Sequence, residues 1–118
     1  MSLFRRADER RRRQNNPDRR PPEMLTLYHH AFCPFSRATR VAMGEYGVSA
    51  KLVEERVWEK RKEFLLVNPA GTLPVLIDGD AAQPICGIRA VAEFLEETAG
   101  VATGRRLMPA DPYARAEV

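Results

Sequence analysis

Cys33 is the residue of this 118-residue chain whose neighbours best equip it for chemistry. Pro34 follows it, and proline suits the first position of a helix because its missing N–H needs no partner there. Cys33 then stands at a helix N-terminus, where the dipole and free amides favour a thiolate, the form that acts as a nucleophile. Ser36 lies three residues on, where a dithiol would carry its second sulfur. A hydroxyl cannot resolve a disulfide, so redox chemistry at Cys33 would be of the monothiol kind. The competing reading makes Cys33 a small buried residue, as free cysteines often are. His29 and His30 are adjacent and lack a second pair at zinc spacing, which points to a surface pair and no metal. Cys86 ends a short apolar run and reads as core. Trp58 and Phe64 lie among Arg56, Lys60, Arg61 and Lys62 and are candidates for a protein-docking surface; the alternative is that they pack a short helix.

The elements that must position these residues follow from periodicity and turn chemistry. Leu25 to Tyr28 suits a half-buried strand. A helix opens at Pro34 with Ala38, Val41, Ala42 and Tyr46 as its expected packed face, and Gly47 closes it. Ala50 to Glu54 reads as a second strand, with Leu52 and Val53 at its centre. A short helix is expected over Lys60 to Val67, stopped by Asn68-Pro69. Thr72 to Ile77 forms the third strand, Asp78-Gly79 signals a hairpin, and Pro84 to Cys86 forms the fourth. The last helix places Ile88, Val91, Ala92 and Leu95 on one face and is expected to end at Gly100. The order is β-α-β followed by α-β-β-α. Its first two strands must be parallel through a right-handed crossover, and its last two form an antiparallel hairpin. That is an α/β, thioredoxin-like fold with a four-stranded mixed sheet.

Composition bounds the function classes. Apolar residues make up 44% and charged residues 30%, ordinary values for a small globular domain. No run of about 18 apolar residues exists for a membrane span. Two cysteines cannot build a disulfide-dense secreted scaffold, and with no apolar signal stretch a cytoplasmic location is expected. The net charge of +3 is unevenly placed. Residues 1–23 carry eight Arg against four acidic residues, whereas 24–118 hold 11 basic and 12 acidic residues. The body is therefore not a nucleic-acid binder by charge. Residues 1–23 offer almost nothing to bury and read as a disordered basic tail, or as sequence upstream of a true start at Met24.

Several strings carry a resemblance. Leu27-Tyr28, Phe32-Cys33-Pro34-Phe35-Ser36 with Arg40, Asn68-Pro69-Ala70-Gly71-Thr72-Leu73-Pro74-Val75-Leu76 and Asp78-Gly79 are similar to the N-terminal domain of glutathione transferases. The Cys-Pro-Phe-Ser start resembles the cysteine-type, omega and glutaredoxin-like members. The resemblance covers 24–99. Residues 107–116 then resemble the linker into the family's all-helical second domain, with Asp111 as N-cap and Pro112 as first helical residue. On this reading 100–118 is a linker plus the first turn of a truncated helical domain, and the chain looks like a family member lacking the rest of it.

The resemblance implies roles. Cys33 would attack a glutathione mixed disulfide and be released by a second glutathione. Tyr28 and Ser36 are rival hydroxyls, since other branches hold the glutathione thiolate with Tyr or Ser. Leu73-Pro74 would be a cis bond, and the N–H and C=O of Val75 would clamp the cysteinyl part of glutathione. Phe35, Leu73, Pro74, Val75, Gly87 and Ile88 are the implied glutathione-binding positions. The family usually carries Glu-Ser where this chain has Gly87-Ile88. Losing two hydrogen bonds to charged groups costs about 3–6 kcal/mol, or about 10²-fold or more in affinity. Arg89 adds one positive charge nearby.

Two function classes follow. One is a glutathione-dependent thiol transferase or reductase acting on glutathione or a glutathionylated substrate, with no metal. The other is a non-catalytic protein-binding module of the same fold. The bacterial cell-division proteins of this fold that bind a tubulin-like filament resemble the Glu54 to Trp58 segment. Self-association, as a homodimer or otherwise, is expected from apolar area on Ala42, Met43, Ala90 or Phe94 that a second domain would cover.

Overall fold

The computed structural model describes residues 25–79 and 83–118. The expectation for the arginine-rich segment 1–23 lies outside these residues. Four strands form one mixed sheet in the order β2-β1-β3-β4. They are β1 (Leu25–His29), β2 (Ala50–Glu54), β3 (Val75–Ile77) and β4 (Ile85–Cys86). β1 runs parallel to β2, with Leu27 beside Leu52, and antiparallel to β3, with Leu27 beside Leu76. β4 completes the hairpin, with Leu76 beside Ile85. The thioredoxin-like order expected from the sequence is the observed one. The third strand is shorter than Thr72 to Ile77: Leu73-Pro74 is a cis bond, and the ladder begins only after Pro74, which has no N–H to give it.

Side-chain alternation gives each sheet face its own core. On one face Leu27 and Leu76 meet Met43, Tyr46, Val91 and Leu95 from α1 (Pro34–Tyr46) and α3 (Ile88–Leu95). On the other, Phe64 from α2 (Lys62–Val67) packs with Leu73 and Val75, flanked by Tyr28 and Val57. α2 starts two residues later than expected, because a 3₁₀ turn at Val57–Glu59 precedes it. Phe64 is thus a core residue, and the expected docking pair with Trp58 reduces to Trp58 alone.

α1 buries a different face from the one its alanines suggest. Ser36, Thr39, Met43 and Tyr46 face the sheet, while Ala38 and Val41 are exposed. Buried hydroxyls are tolerable in a helix when they bond its own backbone, and Thr39 Oγ1 donates to the Phe35 carbonyl at 3.0 Å. Met43 is therefore core, and Ala42 and Phe94 pack half-buried against that core. Of the four residues expected to leave apolar area exposed, only Ala90 does so.

The last helix also runs past its expected end. Gly100 has ordinary helical φ of −60°, and a Cβ there would lie 3.1 Å from the Tyr46 ring. Its glycine serves close approach and not termination. The helix continues through a π turn (Glu96–Gly100) and a last turn (Val101–Thr103) to Gly104, whose φ of 69° closes it. Glu96 is buried on this stretch. It accepts from the Tyr46 hydroxyl, Arg106 Nε (3.1 Å) and the N–H groups of Leu107 (3.0 Å) and Met108 (3.1 Å). Burial alone would raise this carboxyl, but those four donors outweigh it and hold it down at about 2. α4 (Pro112–Glu117) follows, and Asp111 caps it by accepting from Ala114 N–H at 2.9 Å. Among the described residues no helix is long and apolar enough to cross a membrane.

Gly87 precedes α3 with φ 91° and ψ 153°, a region that L side chains rarely enter. Gly87→Ala is expected to cost about 1–3 kcal/mol through backbone strain alone. Gly44→Ala, at a helical position with open space around it, should instead stabilise by about 0.5–1 kcal/mol. Urea unfolding of the two variants checks the contrast in sign.

Candidate functional site

β1 ends at His29, and the chain must turn before α1 can begin. His30 builds that turn from beneath. Its carbonyl accepts the Cys33 N–H at 3.0 Å, and its Nδ1 accepts the Phe32 N–H at 3.1 Å. Its Nε2 lies 3.2 Å from Glu54 Oε1 at the end of β2. The ring is buried, meeting Trp58 edge-on at 4.9 Å and Phe32 at 5.1 Å between centroids. Neither histidine of the expected surface pair is exposed. His30 is a structural anchor, while His29 faces α1, where burial and then the Arg40 guanidinium push it below the ordinary imidazole range.

Cys33 is the N-cap of α1, with extended backbone at φ −85° and ψ 115°. Its Sγ accepts the Ser36 N–H at 3.4 Å, and its carbonyl accepts the Arg37 N–H at 3.0 Å. The helix N-terminus thus aims an amide at the sulfur, the arrangement that favours negative charge. Cys33 is half-buried and lines a cavity of about 340 Å³ with His30, Phe32, Phe35, Val57, Trp58 and the 71–73 segment. Ser36 lies wholly buried behind it, its Oγ without a partner among the described residues. Cys86 is elsewhere, its Sγ 4.0 Å from the Val67 carbonyl, and burial pushes that thiol up.

The other expected positions divide. Phe35 and Leu73 share the cavity with Cys33. Pro74 is buried behind them, and its carbonyl accepts the Gly87 N–H at 3.0 Å, which ties the start of α3 to the cis bond. Gly87 and Ile88 stand at that helix start and are not part of the cavity lining. Val75, expected as the backbone clamp, lies inside the ladder opposite Tyr28 and Cys86 and is fully buried. The residues of that segment bordering the cavity are Gly71, Thr72 and Leu73. Tyr28 packs on Phe64, with centroids 5.8 Å apart.

Trp58 joins Cys33 across a gap of 25 sequence positions. A bidentate ion pair helps to hold its loop: buried Glu55 accepts from Arg61 at 3.0 and 2.7 Å, and its N–H donates to the His29 carbonyl. Sequence reasoning missed His30 and Val57 as site residues. A histidine one residue past a strand and three before a capping cysteine was the available signal. Among the described residues no three His, Cys, Asp or Glu side chains gather where they could hold a metal.

The chain matches the glutathione S-transferase N-terminal domain over residues 32–98. FtsZ-localized protein A of Caulobacter vibrioides is 38% identical over 94 residues, covering 78% of this chain and 40% of that protein. Glutathione S-transferase omega-1 of Sus scrofa is 29% identical, covering 81% and 38%. Among solved structures, a glutathione S-transferase from Sinorhizobium meliloti superposes with a TM-score of 0.74 at 48% identity, over 80% of this chain and 41% of the other. A Sulfitobacter homologue solved with bound glutathione gives 0.68 at 26%, over 80% and 45%. The chain thus spans about 40% of the length of the curated relatives it matches. With the N-terminal domain matched over more than half of its residues, the chain belongs to the glutathione S-transferase family.

Proposed function

We propose that this domain carries out monothiol exchange, with Cys33 as the attacking thiolate and glutathione as the thiol that releases it. The observation that carries this is the Cys33 Sγ at the start of α1, facing a cavity and accepting an amide N–H. Phe35, Leu73 and Pro74 would contact the cysteinyl part of glutathione, and the free amides after Gly87 would face its γ-glutamyl carboxylate. Neither Gly87 nor Ile88 adds a polar side chain there, so binding should be weak, with Kd of about 1 mM or above. Calorimetric titration with glutathione, paired with turnover of a small glutathione mixed disulfide, tests both halves. Turnover that depends on Cys33 supports exchange; no heat at about 10 mM glutathione together with no turnover would sink it.

A second reading, a protein-binding role, is favoured by exposed aromatics around the same cavity: Phe32 is 87% and Trp58 58% exposed. Exposed rings of this kind are enriched among interface anchors. The relative named for its localisation with FtsZ supports that reading. Self-association would now rest on Val41, Ala90 and Leu107, which remain exposed; sedimentation equilibrium across a wide concentration range decides it, a strict 13.4 kDa monomer counting against it.

A further inference from the structure

His30 closes its turn with an acceptor that a proton can remove. A side chain that accepts the N–H two residues on makes an Asx turn, in which Asn or Asp supplies an oxygen. Here the acceptor is imidazole Nδ1, which takes the Phe32 N–H at 3.1 Å. A neutral imidazole has one donor and one acceptor nitrogen. Nδ1 therefore carries the lone pair and Nε2 the proton, facing Glu54 Oε1 at 3.2 Å. A protonated imidazole donates from both nitrogens. It still suits Glu54, but its Nδ1–H then opposes the Phe32 N–H, donor against donor. An Asn oxygen has no such second state.

The charged groups around the ring leave its protonation to Phe32 and Glu54. His29, the residue before it, is held below the ordinary imidazole range by burial and by Arg40 of α1. Glu55 and Arg61 are committed to each other at 2.7 and 3.0 Å, and Arg56 to Glu59 at 3.6 Å. Arg37 lines a separate depression with Ala38 and Val41. Phe32 and Trp58 bring uncharged rings, at 5.1 and 4.9 Å. Cys33 is the remaining titratable neighbour, and the turn delivers it to the start of α1, where its Sγ accepts the Ser36 N–H at 3.4 Å. The Glu54 carboxylate balances the charge the ring gains, so protonation acts on the sulfur chiefly through the turn.

We propose that His30 is a proton-operated clasp on the Cys33 turn: the neutral ring holds residues 30–33 closed for thiol exchange, and the protonated ring releases Phe32 and slows that exchange. The inference rests on the thiolate role of Cys33 given above and adds its regulation by acid. Imidazoles change charge between about pH 5 and 8, so the clasp works in the range where cells and compartments differ. Opening it moves one proton from solvent to Nδ1 and breaks one hydrogen bond, with no other reactant.

The test uses the 118-residue chain with Cys86→Ser, so that one thiol reports. His30→Asn keeps an acceptor for the Phe32 N–H and removes the proton-binding nitrogen. Iodoacetamide rates at Cys33 are compared between parent and His30→Asn at each pH, which cancels the titration of the thiol itself. The two should agree within about threefold near pH 8, and the parent should fall about tenfold behind near pH 5. A second measurement needs no altered turn. In the Cys33→Ser, Cys86→Ser chain, where no thiol titrates, the Phe32 amide resonance should shift along the same pH curve as the His30 ring. Equal rates for parent and His30→Asn near pH 5, or a Phe32 amide that ignores the His30 titration, overturns the clasp. Parent rates at Cys33 no faster than N-acetylcysteine at neutral pH overturn the thiolate role itself, and the regulation proposed for it.

Discussion

Cys33→Ser is expected to lower thiol exchange by about 10³-fold or more, because it replaces the attacking sulfur with a hydroxyl that stays protonated at neutral pH. Cys86→Ser should leave exchange within about twofold, since Cys86 lies outside the cavity lining. The two thiols should also differ in alkylation at neutral pH. Cys33 accepts an amide at a helix start, whereas burial raises the Cys86 thiol and keeps it protonated. Iodoacetamide labelling of each single-cysteine variant should therefore run about tenfold faster at Cys33. Equal labelling rates would remove the electrostatic basis of the proposed activity.

The largest stability effect should come from Glu96, which no part of the proposed chemistry uses. Glu96→Ala leaves the Tyr46 hydroxyl and the Leu107 and Met108 N–H groups without their acceptor, and Arg106 with Glu97 alone. A loss of about 3 kcal/mol or more is expected, as for other hydrogen-bonded buried carboxylates stripped from their partners. Glu96→Gln keeps the shape and one oxygen acceptor and should cost less. The carboxyl also gives stability a pH dependence of defined sign. Its value falls from an ordinary 4.5 to about 2 on folding, so the unfolded chain takes up the proton first. The contribution is complete above pH 4.5 and is lost as pH falls towards 2. Urea unfolding at pH 6 and pH 3 should show that loss in the parent chain and little of it in Glu96→Ala. Hydrogen exchange at 107 and 108 should quicken in the variant.

Strand order was legible because the sheet residues alternate and the Pro and Gly positions punctuate them. The cis Leu73-Pro74 bond was expected from the family resemblance alone, and the Asp111 cap from that resemblance together with the Asp-Pro pair. What escaped were features set by distant partners. Glu96 looks like a surface charge in sequence, yet its phenol partner is 50 positions away. Gly100 looks like a helix stop until the Tyr46 ring is placed against it. The buried face of α1 was misjudged because hydrophobic periodicity does not credit Ser36 and Thr39 with burial. Of the positions expected from spacing and resemblance, Cys33, Phe35 and Leu73 share one cavity. Val75 lies in the ladder outside the cavity lining, and Phe64 is core because α2 turns that ring onto the sheet. Gly87 looked only like a missing polar group; its φ of 91° shows a backbone reason for glycine as well.

The His30 turn has a consequence for the rate at which anything can reach the sulfur productively. Two short hydrogen-bonded rings, Cys33 N–H to the His30 carbonyl and Phe32 N–H to His30 Nδ1, lock residues 30–33 before a substrate arrives. The bond vector at Cys33 is therefore settled by folding. The ordering entropy of that loop has already been spent, and in the proposed exchange an encounter would need only to orient the incoming disulfide along a fixed line of attack. A thiol on a loose loop would have to be immobilised at each encounter, surrendering part of every collision to that search.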